Sequence, residues 1–168
     1  MNIQELYTRA STVLQKAEDL PLLLLRVILA YTFYGPAMTK FSDIQATAGF
    51  FEYLGIPLPL LNAYMAAGTE LLGAILLTLG LMTRFISIPL LIVMFVAIAT
   101  VHGAHGFHVI MPGSGWENPY VNGEEVKGTV VVLQNGYEMV MYYIAMLMVL
   151  ATKGAGRLSL DTLIFKKS

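Results

Sequence analysis

LPLLLLRVILAYTFYGPAM, residues 20–38, is the stretch that decides the fold. It carries a single charge, Arg26. A hydrocarbon core about 30 Å thick needs about 20 apolar residues of helix, within a range of roughly 17–25. The run meets that length, and Pro21 falls in its first turn, where a missing N–H costs nothing. Three further stretches repeat the pattern at 60–82, 85–101 and, more marginally, 136–152. Pro89 is expected in the first turn of the third. These spans predict an all-α membrane protein, a four transmembrane helix bundle forming one domain over 1–168, with outer loops at 39–59 and 102–135.

Composition agrees. Hydrophobic residues make up 57% of the 168 and charged residues 12%, against about 25% charged in soluble domains. Such a chain has too little charge to coat a water-facing globule. A net charge of -1 supplies no clustered basic surface for nucleic acid. Cysteine is absent, which excludes disulfides, a thiol nucleophile and iron–sulfur clusters held by the chain's own thiolates. No nucleophilic triad, phosphate loop or zinc-hydrolase spacing is present. The first apolar run follows Glu18-Asp19 and leads into more spans, so it is expected to be retained and not cleaved as a signal peptide.

Positive residues mark the cytoplasmic side of a membrane protein. Arg9, Lys16, Arg84, Lys153, Arg157, Lys166 and Lys167 flank one side, and only Lys40 and Lys127 the other. That asymmetry predicts a multi-pass membrane protein with both termini cytoplasmic and both long loops outside. Ile3, Leu6, Tyr7, Ala10, Val13, Leu14 and Ala17 recur at helical spacing and predict an N-terminal amphipathic helix. It either lies along the inner membrane surface or packs on the protein's own cytoplasmic turns. Residues 43–54, with an Asp start and a Gly55 stop, read as a short outer-surface helix. In the long periplasmic loop Trp116 and Tyr120 suit an interface, and Asn122-Gly123 beside Val130, Val131 and Val132 predicts a small hairpin.

Ionisable groups within a span cost roughly 2.5–3.5 kcal/mol each at its centre, so Arg26, Glu70 and Glu138 each need a reason. At about 1.5 Å per residue, Arg26 lies roughly 9 Å above the inner edge and Glu70 roughly 15 Å below the outer one. Their depths allow a buried Arg26–Glu70 pair. Such a pair serves either as a substrate, quinone or proton site, or as a staple between helices without chemistry; alternatively Arg26 alone snorkels inward. His102, His105 and His108 recur every three residues near the outer edge, where Glu138 enters the fourth span. Three readings stand open for them: metal binding through neutral imidazoles with Glu138 as oxygen ligand, proton transfer or quinone hydrogen bonding, and interfacial hydrogen bonding alone. The ten Met residues sit mostly at helical spacing and read as packing before Cu(I) ligands.

Several stretches together resemble the DoxX family of small four-span bacterial membrane proteins. They are Arg26 with Tyr34-Gly35 and Lys40-Phe41, then Leu54-Gly55-Ile56-Pro57, Glu70-Leu71-Leu72-Gly73 and Gly80-Leu81-Met82-Thr83-Arg84. Asn135-Gly136-Tyr137-Glu138 and Gly156-Arg157-Leu158-Ser159-Leu160-Asp161 complete the set. The resemblance implies association with membrane redox systems, quinone-linked thiosulfate oxidation among them, and complexes with soluble redox-defence enzymes. A branch with a longer outer loop, as here, is linked to maturation of copper-binding modified peptides.

The function expected is therefore a quinone-linked subunit or accessory of a membrane redox system, either non-catalytic or quinone-interacting. One alternative is an accessory for copper or metal-peptide maturation that uses the outer histidines; another is a small transporter or channel. No covalent cofactor is expected; the non-covalent candidates are a quinone and copper or another transition metal. Expected partners are the bilayer, the proteins of a redox or peptide-maturation complex and, through small residues such as Ala66, Ala67, Gly68, Gly73 and Ala74, a second copy of the chain.

Overall fold

The computed structural model describes residues 2–112, 120–121, 124–125, 131–133 and 135–165. Every long element is a helix: α1 (Ile3–Lys16), α2 (Asp19–Ser42), α3 (Ile44–Tyr53), α4 (Pro59–Leu79), α5 (Thr83–Ala97), α6 (Glu138–Lys153) and the short α7 (Leu160–Phe165). Beyond α5 the chain winds through a π turn, Ile98–His102, closed by the Gly103 N–H on the Ile98 carbonyl, and a 3-10 turn, Gly103–His105. Two short antiparallel pairs follow, β1 (Ile110–Pro112) with β4 (Val131–Leu133), and β2 (Tyr120–Val121) with β3 (Glu124–Glu125). The second pair flanks Asn122-Gly123, which, like Trp116, Lys127 and Val130, lies outside the described residues.

Among the described residues three helices are long and apolar enough to cross a membrane: Asp19–Ser42, Pro59–Leu79 and Thr83–His105. The fourth rod of the bundle, α6, has 16 residues and rises about 24 Å. Helix α2 runs past Met38 to Ser42, so Lys40 belongs to the helix and not to the outer loop. Helix α5 begins at Thr83, so Pro89 falls in its interior and not its first turn. There it leaves the Phe85 carbonyl without its helical partner.

Apolar side chains on the inward faces form one core: Leu29, Ala30 and Phe33 of α2, Ala74 and Leu77 of α4, Ile86, Leu90 and Met94 of α5, and Val140, Ile144, Leu147 and Leu150 of α6. Gly73 lets α4 and α5 approach closely, since a Cβ there would stand 2.8 Å from both methyl groups of Leu90. Helix α1 is capped by Asn2 and Glu5 acting reciprocally. Its Ile3, Leu6, Tyr7 and Leu14 are all exposed; its apolar face is not packed on the protein's own turns.

The bundle has two chemically distinct ends. At the turn end, where α4 meets α5, the segment after α6 is bolted across the helix termini. The Arg157 N–H and Nε donate to the two Asp19 oxygens at 2.7 and 2.6 Å. The Asp161 N–H donates to the Gly80 carbonyl at 2.9 Å. Asp161 in turn accepts from the Met82 and Thr83 N–H groups at 2.7 and 3.2 Å, capping α5 from a distant part of the chain. That cap holds Met82 in a left-handed conformation, φ 51°, rare for a bulky side chain. At the loop end, the Tyr137 and Glu138 N–H groups donate to the Gly106 and Phe107 carbonyls at 3.1 and 2.8 Å. Gly136 is obligatory there, because a Cβ would collide with the His108 carbonyl.

Candidate functional site

The site grows from α2 running one turn longer than its apolar stretch. Lys40, near the helix end, folds its four-carbon stem back toward the bundle. Its ammonium lies 2.7 and 3.0 Å from the two carboxylate oxygens of Glu70 on α4. Glu70 is 4% exposed and the Lys40 side chain 21%. An uncompensated carboxylate at that depth would cost several kcal/mol, roughly; the ammonium and its two hydrogen bonds offset the cost.

The pair forms part of the wall of a cavity of about 400 Å³ in the half of the bundle toward the loop end. Helix α3 contributes Phe50 and Phe51, followed by Leu54 and Ile56 on the way to α4. Helix α4 adds Met65, Ala66 and Thr69 on the Glu70 side, and α5 adds Pro89, Ile92, Val93 and Ala97. The π turn closes the wall with Thr100, Val101 and His102. A mostly apolar chamber of this size with a few convergent polar groups is the form taken by small-molecule sites, and π turns recur at such places. The His102 Nδ1 lies 2.9 Å from the Asn135 carbonyl. Since a carbonyl only accepts, Nδ1 is the donor in this contact.

Arg26 and Glu70, which sequence depth alone makes neighbours, are not paired. Arg26 turns toward the turn end, where Nη2 donates to the Leu158 carbonyl at 2.7 Å and Nη1 occupies the space a Cβ on Gly80 would fill. Depth arithmetic places Cα atoms; it does not say which way a long side chain leaves the helix. Arg26 is 1% exposed, and its Nε and Nη1 have no hydrogen-bond partner among the described residues.

The histidines separate as well. His102 lines the cavity, while His105 and His108 are exposed outside it. Glu138 accepts from the Tyr142 hydroxyl at 2.8 Å and the Val109 N–H at 3.2 Å, with the His108 Nδ1 at 3.8 Å. Among the described residues no group of three His, Cys, Asp or Glu is arranged to hold a metal ion. The chain leaves its helix at Gly103, and the three-residue spacing no longer superposes the imidazoles.

Lys40 and the aromatic pair Phe50-Phe51 went unrecognised as site residues in the sequence. The available signal was Lys40 itself, one of only two cations on a flank otherwise stripped of them.

A family model described as DoxX matches residues 21–103, which hold most of α2, all of α3, α4 and α5, and the residues of the cavity wall. An uncharacterized protein of Haemophilus influenzae is 32% identical over 149 residues, covering 86% of this chain and 83% of that one. A Bacillus subtilis protein provisionally named oxidoreductase CatD is 35% identical over 88 residues, covering 52% of this chain and 64% of that one. No solved structure matches the chain.

Proposed function

We propose, since the chain belongs to the DoxX family of membrane proteins, that it serves as a quinone-linked subunit of a membrane redox system. In this reading it sits in the bacterial inner membrane with its turn end cytoplasmic and α6 as the fourth crossing. The observation that carries the proposal is the Lys40–Glu70 pair set in the wall of a mostly apolar chamber. A quinone needs that combination, an apolar slot for ring and tail and a polar contact for a ring oxygen. The provisional name of the Bacillus relative, oxidoreductase, supports the redox part of this reading and is silent on the quinone.

The bound quinone would supply the electron acceptor or donor, and a partner protein the other redox half. This chain's residues would bind and tune. An ammonium has three donors, of which Glu70 takes two, so Lys40 keeps one for a ring oxygen. Its charge would stabilise negative charge growing on that oxygen. Glu70 would hold Lys40 in place and exchange a proton with it, Phe50 and Phe51 would flank the ring, and the Nε2 of His102 would accept a proton at the chamber's upper wall.

Purification in native lipids followed by extraction and chromatography tests this. A co-purifying quinone, lost on Lys40→Met with insertion unchanged, is the expected outcome. Protein free of quinone, and unable to take up added ubiquinone or menaquinone, would overturn the proposal.

A second reading is favoured by the exposed His105 and His108 at the loop end, the latter beside Glu138. It makes the protein an accessory in maturation of metal-binding peptides, with the peptide providing the remaining ligands. Copper sensitivity in a deletion strain, unrelieved by a His105→Ala, His108→Ala version, would favour it over the first.

A further inference from the structure

At the opposite end of the bundle lies a larger chamber, about 770 Å³, that the quinone reading leaves unused. Its floor is the buried backbone of Gly154, Ala155 and Gly156. Arg84 and Lys153 stand on its rim, both exposed, and Phe85 and Phe165, 69% and 59% exposed, form apolar walls.

The charge balance of this chamber is positive. Asp161 also lines it, but its two oxygens are engaged by the Met82 and Thr83 N–H groups at 2.7 and 3.2 Å. Arg84 spends one donor, Nη2, on the Lys153 carbonyl at 3.1 Å, and a guanidinium has five. The Lys153 ammonium meets no carboxylate among the described residues. Helix α5 starts at Thr83 and α6 stops at Lys153, so the cations stand where two apolar rods end and the polar headgroups of a bilayer begin. Phe85 and Phe165 lie beside them. Cations at headgroup level next to exposed aromatics suit a molecule that is anionic at one end and greasy at the other.

We infer that this chamber binds the headgroup of an anionic phospholipid, with phosphate oxygens on Arg84 and Lys153 and the first acyl carbons against Phe85 and Phe165. Basic pockets between membrane helices take such headgroups elsewhere. The lipid would tie the α4–α5 turn to the segment after α6, both of which line the chamber.

Native mass spectrometry of the full chain, with phosphatidylglycerol or phosphatidylcholine added to the detergent, tests the assignment. Wild type is expected to retain phosphatidylglycerol preferentially and to gain melting temperature from it alone. Lys153→Gln, which removes an ammonium without touching another side chain, is expected to weaken retention about fivefold, and Arg84→Gln with Lys153→Gln about thirtyfold. Melting without lipid checks that each variant is folded, Lys153→Gln keeping the test valid if the double variant is not. Equal retention of the two lipids, or unchanged preference in folded Lys153→Gln, would overturn the inference. So would glycerol phosphate reproducing the whole stabilisation, since the site would then read a soluble phosphate and no lipid.

Discussion

Lys40 reaches back from the far end of α2 to hold Glu70 of α4 by both carboxylate oxygens, at 2.7 and 3.0 Å. The pair joins two helices that would otherwise meet through apolar contacts, and it places a polar contact inside the chamber. Structural and functional roles of one pair can be separated by removing one partner or both. Glu70→Gln leaves a half-buried ammonium without its counter-charge and should cost roughly 3–5 kcal/mol. Lys40→Met with Glu70→Leu should melt within about 1 kcal/mol of wild type or above it, yet retain no quinone. Thermal melting in detergent alongside quinone extraction measures both. A double variant that keeps its quinone would confine the pair to holding helices together.

Blocking the chamber should have the reverse signature. Ala66 lies one turn from Glu70 on the chamber wall, and Ala66→Phe would project a ring into the 400 Å³ space. Quinone retention should fall at least about tenfold, the equivalent of ~1.4 kcal/mol. The added ring has a cavity to enter, so melting should stay near that of wild type. Titration with a water-soluble short-chain quinone reads the affinity directly. Unchanged affinity would place the binding site elsewhere.

Gly80 is predicted to tolerate no side chain. Its φ is 63°, and Arg26 Nη1 fills the position of a Cβ. Gly80→Ala should cost roughly 2–5 kcal/mol, from the left-handed backbone and overpacking together. In an Arg26→Ala background the clash with the guanidinium should vanish while the Ser159 Cβ still stands 2.7 Å from the added atom, so the cost should fall but stay above the roughly 1–2 kcal/mol of the left-handed backbone alone. A double-mutant cycle by chemical denaturation measures the difference; strict additivity would mean the guanidinium does not occupy that space.

Asp161 caps α5 although 78 positions separate it from Thr83. Asp161→Ala should cost about 1–2 kcal/mol. It should also speed proteolysis of the segment 154–165 while leaving the spans protected. Limited trypsin digestion followed by mass spectrometry, with Arg157 as the cleavage site to watch, separates the two effects.

The rods were legible in the sequence because hydrocarbon imposes a length and a polarity that only a few stretches meet. Leu20 to Met38 lies within α2, and the residues expected at 60–82, 85–101 and 136–152 fall mainly in α4, α5 with its π turn, and α6. What escaped is the direction of long side chains. Arg26 and Lys40 leave the same helix toward opposite ends of the bundle, one to the Leu158 carbonyl and the other to Glu70. Hydropathy counts both as charges on α2 and cannot orient either. The histidine spacing was equally ambiguous, because its meaning depended on a regular helix continuing past His102. The π turn and the two glycines, Gly103 and Gly106, end that regularity.

That wider turn acts as a phase adjuster. It winds one additional amino acid into the end of the third rod, and everything downstream is rotated by the angle a single residue adds, about 100°. Rewinding Ile98–His102 at ordinary pitch, with no residue removed, would swing the imidazole of His102 off the chamber wall and away from Asn135. The angular setting between the helical bundle and the loop that follows α5 is thus held by one surplus position in the backbone.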